Sequence, residues 1–273
     1  MVAFPNCKIN IGLNIIGKRA DGYHNLETIF YLVQIKDAIE IIESDIESDI
    51  IFTATGNIVD VKDEDNLCVK AYRLLKKDFP QIPSVKMHLH KNIPMGAGLG
   101  GGSADASAVL LLLNNKFNLN ISQEKLIDYA LQLGSDCPFF IINKPCFATG
   151  RGEILQEIKL DLSAYKIMLV NPNIHVNTGE AFSDLNQNNF SPFGQLQNKI
   201  KQDITTWKNI IKNDFEKSVL EKYPEIGKIK NTLYENDAIY SAMSGSGSTV
   251  FGIFKKETPI NIKFPAHYFC QTV

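Results

Sequence analysis

The sequence predicts an α+β protein of two lobes, an N-terminal strand-rich lobe carrying a glycine-loop helix and a C-terminal α/β lobe. Three observations predict it: an opening third of alternating and β-branched runs, a glycine-dense loop feeding an apolar helix, and a second half where strands frame several helices without regular βαβ units. At 273 residues the chain is nearly twice the ~150-residue typical domain. It therefore has room for two lobes, divided between residues 150 and 165 and set here at 1–155 and 156–273.

The stretch Cys7-Lys8-Ile9-Asn10-Ile11-Gly12-Leu13-Asn14-Ile15 alternates strictly. Cys7, Ile9, Ile11, Leu13 and Ile15 should face a core, and Lys8, Asn10, Gly12 and Asn14 should face away, with Lys8 on the solvent side. Strands are expected at 28–35, 38–43, 50–54 and 85–90, bounded by charged or Gly/Asn turns. Residues 66–77 carry Leu67, Ala71, Leu74 and Leu75 at helical spacing and stop before Phe79-Pro80, as helices do near proline. Residues 103–117 read as a strongly apolar helix, and 124–133 as another, capped by Ser122 and ended by Gly134. Strands at 146–149, 153–159 and 166–170 open the second half. The polar stretch 184–198 reads as a mobile surface connection, followed by helices at 200–211 and 226–235 and strands at 238–242, 249–254 and 267–271.

Composition excludes several classes of function. A 44% hydrophobic and 21% charged chain is ordinary globular material, neither fibrous nor disordered. With 28 basic against 30 acidic residues, it has no field to hold a nucleic acid. The longest apolar run, the six residues 108–113, is far below the ~20 that a membrane helix needs, so no membrane partner is expected. The N-terminus runs into Met-Val-Ala-Phe-Pro-Asn with neither a secretory leader nor a transit segment, which makes the cytoplasm the expected address. Five cysteines, an odd number without C-x-x-C, fit reduced, buried thiols. His88 and His90 share one strand face but lack further ligand types nearby and read as solvated strand residues.

The chemistry concentrates in Pro94-Met95-Gly96-Ala97-Gly98-Leu99-Gly100-Gly101-Gly102-Ser103-Ala104-Asp105, between a strand and a helix. Five glycines in seven positions let main-chain N–H groups converge on an anion, and the following helix adds its N-terminal partial charge, so the expected ligand is phosphate. The stretch formally contains G-x-G-x-x-G, yet the next element is a helix and not the strand a Rossmann unit needs. It also lacks the Gly-Lys-Ser/Thr of a Walker A loop, and the chain has no H-R-D or D-F-G of a protein kinase. The competing reading is a packed turn with no ligand. Because the loop has no cation of its own, charge and proton chemistry must come from elsewhere, and Lys8 and Asp136 are the candidates. A carboxylate beside an ammonium stays ionised and can orient and deprotonate a hydroxyl. Taken alone, Lys8 is also readable as an ordinary exposed lysine and Asp136 as a helix cap before Pro138.

The Lys8-Ile9-Asn10 strand, the 94–104 loop and Ser244-Gly245-Ser246-Gly247-Ser248-Thr249-Val250-Phe251-Gly252 together resemble the GHMP kinase superfamily. Arg19-Ala20-Asp21-Gly22-Tyr23-His24-Asn25-Leu26, Asp65-Asn66-Leu67 and Gly134-Ser135-Asp136-Cys137-Pro138 resemble its branch that acts on a cytidyl diphosphate sugar alcohol in non-mevalonate isoprenoid synthesis. The resemblance spans most of 5–252 and is weakest over 184–235 and after 254. It implies ATP-dependent phosphorylation of the 2-hydroxyl of a methylerythritol moiety, with magnesium and with no metal ligand assigned to the protein. By position it implies Asp136 as base and Lys8 as its partner, with Asn10 near the substrate hydroxyls. The loop residues Pro94, Met95, Gly96, Ala97, Gly98, Leu99, Gly100, Gly101, Gly102, Ser103 and Ala104 would wrap the triphosphate, with Asn66 near the adenine. Ser246 and Gly247 would close against the phosphates, and Tyr23 and Phe182 would sandwich the cytosine, with His24 reading its edge and Thr178 nearby. Without the resemblance, Tyr23 and His24 read as turn residues and Phe182 as the apolar anchor of a short helix. Departures are small: Ser135 stands where alanine is frequent, Cys137 where valine is common and Ala97 where glycine is frequent. Alternatives are a mevalonate-type, homoserine or sugar kinase of the same superfamily, or a catalytically inactive ligand-binding relative. Tyr23-His24 argues against the former and intact Lys8 and Asp136 against the latter. The expected assembly is a monomer or weak homodimer.

Overall fold

A computed structural model describes residues 1–45, 49–57, 63–185 and 190–273. The first part of the chain runs β1 (Val2–Ala3), β2 (Asn6–Lys18), β3 (His24–Lys36), β4 (Ala38–Glu43), β5 (Ile50–Gly56), α1 (Leu67–Asp78), β6 (Val85–Lys91), α2 (Gly101–Lys116), α3 (Gln123–Leu133) and α4 (Cys137–Ile142). It continues with β7 (Cys146–Thr149), β8 (Ile154–Glu157), β9 (Tyr165–Asn171), α5 (Thr178–Ser183), α6 (Gln195–Lys199), α7 (Trp207–Ile210), α8 (Glu216–Lys222), α9 (Pro224–Glu235), β10 (Tyr240–Met243), β11 (Val250–Lys255) and β12 (Phe269–Thr272). This is the expected α+β class. The described residues divide into two compact units, neither of them a continuous piece of chain. The first comprises 1–7, 34–95 and 100–144, and the second 8–33, 96–99 and 145–273, so the chain changes unit inside β2 and again inside β3. Long strands carry the chain from one unit to the other without a linker that composition could reveal.

The first unit is a mixed sheet, β1-β4-β6-β5, with β5 parallel and β4 antiparallel to β6. Alternation sets its core face: Val85, Met87 and Leu89 of β6 point inward with Ile39 and Ile41 of β4, while Lys86 and His90 point outward. Tyr72 and Leu75 of α1, Val109 and Leu113 of α2 and Leu126 of α3 pack on these residues. Each such fully buried side chain contributes about 1.5–3 kcal/mol relative to an exposed one. On the outward side His88 shares hydrogen bonds with the hydroxyls of Thr53 and Thr55, and His90 with that of Thr55.

The second unit contains the antiparallel sheet β10-β11-β9-β12 and most of the sheet β2-β3-β7-β8. Phe215, Val219, Ile226 and Leu233 from α8, α9 and the turn before them bury against Met168, Val170, Val250 and Phe254. Trp207 and Phe251 both pack against Tyr240, with ring centroids 5.8 Å apart in each pair.

Three local expectations need correction. The polar face of the opening strand is not solvated: Lys8, Asn10 and Asn14 are all buried. Period two tells which side is apolar and is silent on what covers the other. Here hydrogen bonds replace water, as burial requires. The Asn14 amide donates to Glu27 at 2.9 Å, and Glu27 also accepts from the backbone of Gly194 and Leu196. In place of the helix expected over 200–211, the chain turns after α6 and forms a short 3-10 turn begun by Asp203, which caps Thr205, and the one-turn α7. Cys270 is exposed, whereas the other four cysteines are buried as expected. Of the stretch expected to be mobile, residues 186–189 lie outside the described residues.

Candidate active site

Within the glycine-rich loop, Gly96, Gly98 and Gly100 all take positive φ, and Gly100 is the N-cap of α2. The loop is held by its carbonyls. In the second unit, Thr249 N–H donates to Ala97 O at 3.2 Å and Lys8 N–H to Leu99 O at 3.0 Å, while Gly98 O accepts from Lys8 Nζ at 3.2 Å and Ser244 Oγ at 2.7 Å. Among the described residues, the main-chain N–H groups from Gly98 to Ser103 donate to no protein acceptor. The N–H groups of Gly101, Gly102 and Ser103 open the 16-residue α2, and donors left over at a helix start are the kind of group that can hold an anion. The packed-turn reading required those amides to be satisfied internally, and they are not.

Also in the second unit, Lys8 Nζ donates to Asn10 Oδ1 at 2.6 Å and lies 5.0 Å from the centroid of the Phe30 ring. Asn10 is held at three atoms: its amide donates to Thr28 at 2.9 Å, its backbone N–H to Ser244 Oγ at 3.1 Å, and its Oδ1 accepts from Lys8. This side chain therefore has one orientation. The late glycine turn packs beside it: Asn213 donates to the carbonyls of Met243 and Gly245 at 2.8 Å each, and a Cβ on Gly98 would lie 2.0 Å from Ser244 O. Strand alternation assigned Lys8 and Asn10 to the right face, and the structure surrounds that face with the two glycine segments.

In the first unit, Asp136 occupies the N-cap position of α4, as the competing reading had it, but its side chain makes no capping hydrogen bond there. Ser107 Oγ donates to Ser103 O and to Cys137 O at 2.8 Å each, tying the first turn of α2 to the residue after Asp136. Burial pushes the Cys137 thiol up to about 11, with Ser103 beside it as donor and Asp136 adding negative charge nearby. Asn66 is the N-cap of α1, accepting from Cys68 N–H at 2.9 Å, and a Cβ on Gly102 would lie 3.8 Å from Leu67. Asp136, Ser103, Gly102 and Asn66 thus belong to one neighbourhood.

The aromatic residues singled out by resemblance lie together in the second unit. The turn before β3 is set by Asp21, which accepts from Tyr23 N–H at 3.1 Å and from the Arg19 guanidinium at 3.0 Å. Tyr23 is 56% exposed, with the Arg151 guanidinium 4.9 Å from its centroid. His24 stacks on Phe182 at 5.0 Å and 16°, and Phe182 rests edge-on against Phe215 at 4.8 Å. Phe182 is carried by the short α5, which begins with Thr178 and is capped by Asn177 accepting from Glu180 N–H. Thr178 and Ser246 share a hydroxyl hydrogen bond of 2.9 Å. Burial, with Lys18 nearby, lowers the pKa of His24 and favours the neutral ring, which offers one donor and one acceptor.

Two features escaped the sequence reading. Arg151 beside Tyr23 has no local pattern to announce it. The buried trio Asp37, Lys91 and Asp105 did leave a signal: Lys91 falls on the inward parity of Val85-Met87-Leu89, and Asp105 on the stripe of Val109, Leu112 and Leu113. A charge at a core position was there to be noticed.

Comparison with known proteins bears on this arrangement directly. The family model described as GHMP kinases N terminal domain matches residues 66–144, and that described as GHMP kinases C terminal matches 181–265. The chain belongs to the GHMP kinase family. Within it, the chain is 50% identical over 274 residues to a Bacteroides fragilis protein named 4-diphosphocytidyl-2-C-methyl-D-erythritol kinase, with 100% of this chain and 99% of the relative covered. A crystal structure of 4-(cytidine 5'-diphospho)-2C-methyl-D-erythritol kinase aligns with TM-score 0.80 at 28% identity, covering 93% of this chain and 90% of that one. Homoserine kinase from Cytophaga hutchinsonii, at TM-score 0.68 and 14% identity over 94% of this chain and 85% of its own, shares the fold alone.

Proposed function

We infer that this chain is an ATP-dependent kinase that phosphorylates the 2-hydroxyl of 4-diphosphocytidyl-2-C-methyl-D-erythritol, releasing ADP, in non-mevalonate isoprenoid synthesis. The observation that carries the kinase reading is the row of unsatisfied amides from Gly98 to Ser103 at the head of α2. The cytidyl reading is supported by Tyr23, His24 and Phe182, since mevalonate and homoserine present no base to stack.

Phosphoryl transfer depends mainly on in-line placement and charge stabilisation. The amides of 98–103 and the helix terminus hold the phosphates, with Asn66 at the adenine end and Ser246 and Gly247 against the phosphates. Magnesium brought in with the nucleotide would supply charge neutralisation at the phosphates these amides hold. Asn10 orients the substrate hydroxyls, and Lys8 holds Asn10 while placing positive charge near the attacking oxygen. Asp136 accepts the hydroxyl proton as the oxygen attacks the γ-phosphorus and the bond to ADP breaks. Cytosine lies between Tyr23 and Phe182, with His24 reading its edge and Thr178 nearby. In that complex the base takes the face of Phe182 that His24 covers here. Buried reduced cysteines accord with the cytoplasm as the place of action, and we propose a monomer or weak homodimer.

A coupled ADP-release assay with the cytidyl substrate, mevalonate and homoserine tests the assignment. Turnover with the cytidyl compound alone is expected. Turnover with mevalonate or homoserine and not with the cytidyl compound would overturn the choice of substrate, and none with any would favour an inactive relative.

A further inference from the structure

Three charged side chains lie buried together in the first unit: Asp37, Lys91 and Asp105 are 0%, 2% and 2% exposed at their side chains. Lys91 donates to Asp37 and, at 2.8 Å, to Asp105 Oδ2. Asp37 is fully engaged, since its other oxygen accepts from the backbone of Asn92 at 2.6 Å and of Ile93 at 2.8 Å. Asp105 Oδ1 is buried with no partner among the described residues. The ammonium lies immediately under the phosphate loop: a Cβ on Gly101 would stand 3.1 Å from Lys91 Nζ and 3.0 Å from Ile93. So the strand that leads into the loop, the residue before β4 and the first turn of α2 are joined by one ion cluster beneath the unsatisfied amides.

We propose that Lys91 is a positioning residue for the phosphate loop: clamped by Asp37 and Asp105, it fixes β6 against the first turn of α2, and its ammonium offsets the carboxylate charge beneath the amides that receive the nucleotide. The proposal rests on the nucleotide-phosphate reading of that loop. Lys91 is too buried to touch the ligand, so it acts through the backbone and the local field.

The cluster also has an internal control. One ammonium between two carboxylates leaves a negative charge in a low-dielectric site. Burial pushes Asp105 up to about 7, opposed by Lys91 and assisted by Asp37. Among the described residues, the other titratable group facing the trio is Cys68 of α1, with Cys137 of α4 beyond it. Burial raises both thiols, so they remain uncharged at neutral pH. As pH rises through the Asp105 value, the charge beneath the loop becomes more negative and anion binding weakens.

The test is ADP binding by calorimetry from pH 6 to 8 to wild type, Asp105→Asn and Lys91→Met. The nearly isosteric Asp105→Asn keeps the Lys91–Asp37 pair and removes the titration. The ratio of wild-type to Asp105→Asn dissociation constants is expected to rise several-fold across the range, with the nucleotide's own ionisation cancelling. Lys91→Met, wherever it folds, is expected to bind ADP at least tenfold more weakly while the KM for the cytidyl substrate stays within twofold. A pH-independent ratio, or equal loss of both ligands, would overturn the positioning role and leave the phosphate reading intact. Absence of ADP binding by wild type at every pH would overturn both.

Discussion

The two compact units present different chemistry to ligands. The first offers main-chain donors, the N–H groups at the head of α2, backed by a buried ammonium. The second offers side chains: rings at Tyr23, His24 and Phe182 and the locked pair Lys8 and Asn10. A phosphate chain is recognised by backbone geometry that many sequences can supply. A base needs particular rings at particular positions. Nucleotide affinity should therefore respond to changes at the head of α2, and cytidyl affinity to changes at Tyr23, His24 and Phe182.

The largest effect is expected at Asp136. Asp136→Asn should lower turnover by roughly two to four orders of magnitude while ADP affinity stays near wild type. Loss of both in calorimetry would make Asp136 a binding residue and blur the division.

Glycines sharpen the comparison. At Gly98, with φ 76° and Ser244 O only 2.0 Å from a built Cβ, alanine must displace backbone. Gly98→Ala should cost at least ~2 kcal/mol, lowering Tm by several degrees together with activity. Gly102 is free of protein contact closer than 3.8 Å, and alanine is favoured over glycine in a helix by about 1 kcal/mol. Gly102→Ala should therefore hold or raise Tm while weakening ADP about tenfold, because what the site needs there is close approach of the ligand. Equal thermal penalties for the two would show that both glycines serve packing.

Smaller effects belong to the base site. Tyr23→Ala and Phe182→Ala should each raise the KM for the cytidyl substrate, stacking being worth ~1–3 kcal/mol per base, with KM for ATP unchanged.

The smallest is a pH effect at His24. Its pKa is lowered in the fold from 6.5, so the neutral ring is the favoured form. Whatever stability the stack on Phe182 contributes is complete above 6.5 and is lost as pH falls through the lowered value. The KM for the cytidyl substrate should rise on acidification in wild type and stay flatter in His24→Gln.

Much of this was legible in the sequence where the signal is local. Ser122 and Gly134 bound α3 as expected, with Ser122 accepting from Lys125 N–H, and alternation placed β6 and the inner face of β2. The glycine loop and the helix that follows it were also readable, as glycine density before an apolar run. What was not legible depends on partners remote in sequence. Lys8 looks solvent-facing until Asn10, Gly98 and Ser244 surround it, and 234 residues separate Asn10 from its hydroxyl partner. The inward parity of Lys91 was legible, but its partners Asp37 and Asp105, 54 and 14 residues away, were not. The competing cap reading of Asp136 was right about position, although its side chain makes no capping hydrogen bond there.

The most direct test is phosphorus NMR of the product formed from ATP and 4-diphosphocytidyl-2-C-methyl-D-erythritol by the full chain. One new phosphomonoester signal, coupled to the 2-position and equimolar with ADP, is the predicted result. ADP formed without a new phosphomonoester, or phosphate on a different hydroxyl, would contradict it.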